Sequence, residues 1–501
     1  MHARTCYRRI LYSTLLGTML SQESLLVEAA TPAQNCEALT HLSLSDAKVS
    51  AAAIQSGTQP YCKVSLHLTP SKDSDIQAQV WLPADNWNGK YLAVGNGGWG
   101  GSIPDELMQA GLARGYATSG TDDGHTGPSG SFALAHPEKL IDFAYRSEHE
   151  MTIKSKAIIR AFYGHQPRLS YWDGCSGGGR EALIQAHRYP DEFDGIIAGD
   201  PANFQRNAWA MWLAQAAFKD PADSIPASKF GMIHEAVLDA CDTLDGLKDG
   251  LIDDPRRCQF DPKSLQCTAG DGPHCLTERQ VRTARTILSA PVTSSGHQVF
   301  ERLEPGTELR WARLAGGPEP GALFLDYFKY VVYKDPQWDW RSFDLDRDSA
   351  LADAAMKGVL DLEPDLTRFA KHGGKLLLYQ GWADQQVAPA ATIAFYESMS
   401  RASGNSAHTN EWARLFMAPG MGHCLGGEGP DSFNKLGALE EWVEQHQPPD
   451  RIIASHATHG NVDRTRPLCP YPEVARYHGS GDIDDASSFR CEAPQSAGTA
   501  H

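Results

Sequence analysis

The stretch Gly174-Cys175-Ser176-Gly177-Gly178-Gly179-Arg180 decides how this chain is read. It fits the pattern G-x-S-x-G, and its surroundings matter more than the pattern. Before it, residues 169–172 are apolar and aromatic enough for a strand. After it, residues 181–188 read as a helix. A serine on a sharp strand-to-helix turn projects its hydroxyl above a parallel sheet, and small flanking residues let the backbone make the turn. The helix that follows turns its N-terminus toward developing negative charge. An ordinary glycine-rich turn is the competing reading. The strand before and the helix after favour Ser176 as a nucleophile.

A serine hydroxyl is a poor nucleophile until a base activates it and an acid orients the base. In hydrolases built this way the chain order is Ser, then Asp or Glu, then His, the last two on loops after late strands. Residues 375–380 read as a buried strand that leads into Asp384. Residues 414–418 read as another, leading into His423 and Cys424. Both Asp384 and His423 therefore fall just past strand C-termini, where open α/β sheets keep their sites. A loop histidine is by default a surface residue. The place of His423 after a strand and beside a cysteine points to a base instead. Asp384 also makes a turn before a helix that opens near Pro389, a role compatible with catalysis. Cys175 precedes the serine and Cys424 follows the histidine. If they bond, their Cα atoms lie roughly 4.4–6.8 Å apart, the scale a Ser–His pair needs. The rival reading makes Cys175 the nucleophile with His423 as its base. It is weaker, because the serine holds the elbow position.

Two further segments bear on chemistry. Gly95-Asn96-Gly97-Gly98-Trp99-Gly100-Gly101 follows a strand. In this fold such a loop supplies one N–H of an oxyanion hole, and the residue after the serine supplies the other. These are assigned to Gly98 and Gly177, with Gly97 and Trp99 as alternatives one residue away. The run from Cys241 to Asp253 carries carboxylates at short spacing, broken by glycines. That suits a hard cation with oxygen ligands, here calcium, although an exposed acidic turn reads similarly and the spacing is not an EF-hand. Asp122, Asp123 and His125 form another polar loop past a strand, open to a structural or a binding role.

Residues 64–68 and 76–82 alternate as antiparallel strands do. Residues 90–94, 115–119 and 194–198 read as core strands. Strands alternating with helices argue an α/β fold, a mostly parallel sheet with helices on both faces. From Asn203 to about Asp365 strand signals stop. Helical runs, paired cysteines and Gly/Pro-rich stretches replace them, which reads as a large inserted lid. Its aromatics (Phe204, Trp209, Trp212, Phe324, Tyr327, Phe328, Tyr330, Trp338, Trp340) suit an aromatic acid, although most belong to the lid's own core. The expected division is 1–29 signal peptide, 30–202 first part of the core, 203–365 lid with the acidic loop, 366–492 second part of the core, and 493–501 disordered tail.

The chain has 501 residues and a formal net charge of −17 without a basic run, so nucleic acid is a poor partner. Arg4, Arg8 and Arg9 precede a short apolar stretch, residues 10–20, and then small residues near Ala29 and Ala30, as in a secretory signal. That stretch is too short to span a bilayer, and no membrane association is expected. Eleven cysteines become ten once Cys6 leaves with the signal, and an even count in an exported chain suggests five disulfides.

Together Cys175-Ser176, Asp384 and His423-Cys424 resemble the Cys-Ser/Asp/His-Cys pattern of the tannase and feruloyl esterase family, which includes mono(hydroxyethyl) terephthalate hydrolases. The resemblance runs from about Cys36 to about Cys491. It implies a secreted serine carboxylesterase with an α/β-hydrolase core and inserted lid. Its substrates would be esters of aromatic acids such as ferulate, free or attached to plant polysaccharide or polyphenol, with gallate or terephthalate esters as alternatives. It implies the pairs Cys36–Cys62, Cys175–Cys424, Cys241–Cys258, Cys267–Cys275 and Cys469–Cys491. It also implies a structural calcium held by the side chains of Asp242, Asp245 and Asp249 and the carbonyls of Leu247 and Leu251, and no organic cofactor. Outside enzymes, the competing expectation is a catalytically dead, calcium-dependent protein that binds phenolics or polysaccharide.

Overall fold

In the computed structural model, residues 31–57, 59–312 and 317–494 are described, together with Met1. Apart from Met1, the expected signal peptide lies outside them, as do residues 495–501.

Nine strands make the main sheet: β1 Ala47–Gln55, β2 Tyr61–Leu68, β3 Ile76–Pro83, β4 Lys90–Val94, β5 Ala117–Thr121, β6 Leu169–Cys175, β7 Gly195–Gly199, β8 Lys375–Gly381 and β9 Ala413–Ala418. Their spatial order is β1-β2-β3-β5-β4-β6-β7-β8-β9. β1, β2 and β3 pair antiparallel, as does β3 with β5. Every pairing from β5 across to β9 is parallel. This is the α/β-hydrolase arrangement expected from the sequence.

Parallel strands are buried on both faces, so they read as continuous apolar runs. β8 illustrates it. Leu376 and Leu378 enter one core with Trp172 and with Met151, Ile158 and Ile159 of the helix Ser147–Tyr163. Leu377 points the other way, into a core with Met108 and Leu112 of the helix Asp105–Ala113 and Leu439 and Trp442 of the helix Lys435–Gln445. The period-2 alternation of a strand thus fastens helices to opposite faces.

Between β7 and β8 the described residues form no strand, only helices, turns and loops around a separate apolar core. Trp209, Phe300, Tyr327, Phe328, Trp338 and Trp340 are buried in it. This insertion touches the main sheet's loops at several points. Trp99 Nε1 donates to the Leu323 carbonyl at 2.9 Å, and Gly130 N donates to Asp326 at 2.9 Å.

Three features differ from the sequence reading. The strand expected at 115–119 begins at Ala117, because Gly115 takes φ 81° in the turn that leaves the preceding helix. β1 is unannounced, since its alanine-rich sequence offers one fully buried side chain, Val49. So is a C-terminal hairpin of β11 Ile452–Thr458 and β12 Asn461–Leu468, which pairs with the short β10 Ser432–Phe433. Its turn residues His459 and Gly460 take φ 52° and 83°, a left-handed turn that suits the twist of a hairpin. A two-stranded ribbon, β13 Val474–Tyr477 and β14 Phe489–Glu492, ends the described chain.

Leu378 is fully buried on β8, one strand in from the edge of the sheet. Leu378→Ala is expected to cost about 2–5 kcal/mol, read as a lower denaturation midpoint with the far-UV spectrum unchanged.

Candidate active site

The turn from β6 into the helix Gly177–Arg188 places Ser176 at φ 61°, ψ −115°, which non-glycine residues rarely adopt. Close packing enforces it. A Cβ on Gly174 would lie 2.4 Å from the Gly178 carbonyl oxygen, and one on Gly179 would lie 2.3 Å from that of Gly199. Ser176 N donates to Gly199 O, and Ala202 N donates to Ser176 O. The serine is therefore clamped to the end of β7 from both sides.

Ser176 Oγ lies 2.8 Å from His423 Nε2, and His423 Nδ1 lies 2.8 Å from Asp384 Oδ2. Asp384 is wholly buried. Its other oxygen accepts the N–H groups of Gln386 at 2.7 Å and Val387 at 3.0 Å. Burial alone would push this carboxyl up. His423 beside it and those two N–H groups outweigh burial and hold it below the ordinary Asp value. The pair Cys175–Cys424, with Cα atoms 6.0 Å apart, joins the serine turn directly to the histidine loop. In this disulfide Cys175 has no thiol to act as a nucleophile.

Asp200, at the end of β7, is a site residue that the sequence reading missed. It is buried, and its Oδ1 accepts from Gly381 N at 3.0 Å and from Gln380 Nε2 at 2.8 Å. Gln380 Nε2 also reaches Asp384 Oδ2 at 3.0 Å. Burial, then the charge of Asp384, pushes the Asp200 carboxyl well up. The run Gly199-Asp200-Pro201 at a strand terminus was its available signal.

Gly98 and Gly177 face one another: a Cβ on Gly177 would lie 3.4 Å from Gly98 N. As the first helical residue, Gly177 has an N–H with no intrahelical acceptor. Leu323 of the insertion sits over this loop, its Cδ1 3.6 Å from a Cβ built on Gly98. Arg310 packs on Gly422 and Gly426, either side of His423 in sequence. Asp122 is buried under the same region, its Oδ1 accepting from Gln77 N and Gly124 N, both at 2.9 Å. His125 stacks on Phe132 with centroids 3.7 Å apart, so it is a packed residue here. A cavity of about 350 Å³ opens between the insertion and the helix Pro389–Ala402, lined by Phe204, Phe300, Leu360 and Phe395 among others. Ser176, His423 and Asp384 do not line it.

The acidic loop packs through Leu251 on Gly420, with Leu251 Cδ2 2.7 Å from a Cβ built there. Asp242 accepts from Asp249 N and Gly250 N, Asp245 from Leu247 N, and Asp249 from Leu251 N. Cys241–Cys258 closes the loop. It is held from outside by the C-terminal segment: Arg466 pairs with Asp249, and Arg476 Nη1 donates to the Asp245 carbonyl at 2.6 Å. Asp253, wholly buried beside it, keeps one carboxylate oxygen without a partner among the described residues. An all-oxygen donor set with one orphaned buried oxygen fits a hard divalent cation. Cys36–Cys62, Cys267–Cys275 and Cys469–Cys491 are also bonded, so all five pairs are those the resemblance implied.

A mostly parallel sheet with Ser, Asp and His on the loops after β6, β8 and β9 at its C-terminal edge defines an α/β-hydrolase, and the comparisons specify which. The family model described as "Tannase and feruloyl esterase" matches residues 62–316 and 323–492. An uncharacterized esterase of Xanthomonas campestris pv. campestris is 36% identical, with 96% of this chain and 95% of that one covered. A protein of Aspergillus terreus named "Probable feruloyl esterase B-2" is 32% identical over 90% of each chain. The crystal structure of feruloyl esterase B from Aspergillus oryzae superposes with a TM-score of 0.88 at 28% identity, covering 92% of this chain and all of that one. The chain belongs to the tannase and feruloyl esterase family and is a carboxylic ester hydrolase, which sets aside the reading as a binding protein.

The glycine contacts give a direct test. Gly179→Ala must push the helix off β7, so a large loss of thermal stability is expected. Gly231→Ala, in the helix Phe230–Cys241 with nothing within 4 Å of the added carbon, should leave Tm unchanged or slightly higher.

Proposed function

We propose that this chain is a secreted serine esterase acting on esters of hydroxycinnamic acids such as ferulate, through an acyl-enzyme on Ser176. The observation that carries the mechanism is the unbroken Ser176–His423–Asp384 chain, with both links at 2.8 Å. With Nδ1–H held on ionised Asp384, Nε2 is free to take the serine proton as Oγ attacks the ester carbonyl. The tetrahedral oxyanion lies between the N–H groups of Gly98 and Gly177. His423 then gives the proton to the leaving alcohol, and water attacks the acyl-serine by the same route to release the acid. The Aspergillus relatives named feruloyl esterase B support the choice of acid. Leu323 beside the oxyanion loop offers an apolar wall for an aromatic acyl group. Secretion is supported by the signal-like N-terminus and the five disulfides. Among the described residues no helix is long and apolar enough to cross a membrane.

The acidic loop is proposed to hold a structural calcium through Asp242, Asp245 and Asp249 and the carbonyls of Leu247 and Leu251, with Asp253 as an added carboxylate. When bound, the ion would neutralise this cluster. Because Arg466 and Arg476 grip the same loop, its role would be to tie the insertion to the C-terminal segment as well as to shape the insertion.

Ser176→Ala should lower turnover of methyl ferulate by at least about 10³-fold with Tm retained, and Asp384→Asn by about 10⁴-fold. Full turnover by Ser176→Ala would sink the mechanism. On a matched panel, methyl ferulate or chlorogenate should exceed methyl gallate and mono(hydroxyethyl) terephthalate in kcat/KM. The reverse order would keep the mechanism and move the substrate.

Removing calcium with EDTA should lower Tm, and readdition should restore it. At free calcium about 100-fold above Kd the linkage is about 2.7 kcal/mol. Asp242→Ala should abolish that response. An unchanged Tm in EDTA would contradict the calcium assignment.

A further inference from the structure

A buried carboxyl cluster lies beneath the loop that carries Gly98, apart from the Ser–His–Asp chain. Asp123 follows β5, Glu148 stands on the helix Ser147–Tyr163, and Glu181 stands on the helix that Ser176 opens. Oxygens from all three lie within 4.8 Å of one another, and none of the three residues is more than 1% exposed. Both oxygens of Asp123 and both of Glu148 lack a partner among the described residues, when no carboxyl proton is counted. The cation beside them is Arg180, equally buried. Its Nη2 lies 3.2 Å from Glu181 Oε1, and its other bonds go to the carbonyls of Ala144 and Phe143. Tyr91 of β4 also faces Glu148, and burial pushes its phenol up to about 12.

The charge balance follows. Three ionised carboxylates against one guanidinium would leave two uncompensated charges in a space closed to water, which folding does not tolerate. Burial pushes the Glu181 carboxyl up as well, but Arg180 and the Asn96 N–H oppose it, so of the three it is the one placed to carry the charge. Asp123 and Glu148 have no hydrogen-bond donor among the described residues, and Arg180 acts on them only through space. Burial and the charge on Glu181 push both well above the ordinary carboxyl range. Protonated, each gains an O–H donor that its neighbour can accept.

The cluster touches the loop at both ends. Asn96 N donates to Glu181 Oε2 at 3.0 Å, and Asn96 Nδ2 donates to Thr121 O at 2.7 Å. A Cβ on Gly95 would lie 2.9 Å from Glu181 Oε2, and one on Gly100 would lie 2.1 Å from Asp123 Oδ2. Gly98 sits between these two contacts.

We propose that Glu181, together with a protonated Asp123–Glu148 pair, positions the Gly95–Gly101 loop so that the Gly98 N–H meets the oxyanion. These are positioning residues, since none touches the reacting atoms. The proposal rests on the Ser176 acyl-transfer reading, but one arm of its test does not.

That arm is thermal. A carboxyl whose folded pKa is raised contributes stability that is present below its unfolded pKa and lost as pH rises through the folded one. Glu148→Gln keeps the shape and cannot ionise. As pH rises above the ordinary carboxyl range, the Tm of the unaltered protein should therefore fall relative to that of Glu148→Gln. A gap that stays constant with pH would overturn the proposal. So would a stoichiometric metal ion that Glu148→Gln loses. The second arm is kinetic. Glu181→Leu should lower kcat by at least about tenfold on both methyl ferulate and p-nitrophenyl acetate, with KM within about twofold. It should weaken a phenylboronic acid, whose tetrahedral adduct presents an oxyanion, by a similar factor and leave product inhibition by ferulate unchanged. Glu181→Gln should restore activity, because its amide oxygen can accept from Asn96 N. Equal weakening of boronic acid and ferulate would overturn the proposal. Ser176→Ala retaining turnover would instead sink the acyl-transfer reading and leave the thermal arm standing.

Discussion

The site depends on one constraint, the backbone of Ser176 at φ 61°. Such a conformation costs of order 1–3 kcal/mol and survives only when the surroundings over-determine it. Here they do. Gly174 and Gly179 pack against backbone too closely for a side chain, and Ser176 donates and accepts hydrogen bonds with the segment at the end of β7. Everything else is referenced to that turn. The helix it opens supplies Gly177 and Glu181, the neighbouring strand β4 delivers the Gly98 loop, and Cys175–Cys424 brings the histidine loop to the serine.

Burial and charge are balanced differently at three places in the molecule. Asp384 stays ionised although buried, because an imidazole and two N–H groups face it. Asp200, a few ångströms along the same hydrogen-bond network, also accepts N–H groups but faces no imidazole, and burial and then Asp384 push its carboxyl well up. Asp123 and Glu148 are likewise pushed up below the oxyanion side. At the acidic loop Asp253 is pushed up to about 8 by burial and then by Asp245, an excess of negative charge that a cation would relieve. Environment, not residue type, decides which carboxyl carries charge.

Much of this was legible in the sequence because the signals were local. The serine turn, the strands before Asp384 and His423 and the alternation of β2 and β3 are short-range patterns. The tertiary partners were less legible. β1 is too rich in alanine to announce a strand. The β11–β12 hairpin turns on His459-Gly460, a weaker cue than Asn-Gly. Asp200, Asp123 and Glu148 come from separate elements, and only the fold brings them beside Asp384 or Glu181. The acidic loop was visible as a motif, but its clasp by Arg466 and Arg476 was not, since those residues lie more than two hundred positions away.

The central claim is that Ser176 carries the acyl group. Rapid acid quench of the protein with p-nitrophenyl ferulate, followed by peptide mass spectrometry, tests it most directly. The account predicts a burst of p-nitrophenol and a feruloyl adduct on the peptide containing Ser176, absent in His423→Ala. A burst with the adduct on another residue, or steady turnover with no covalent species on any peptide under single-turnover conditions, would contradict it.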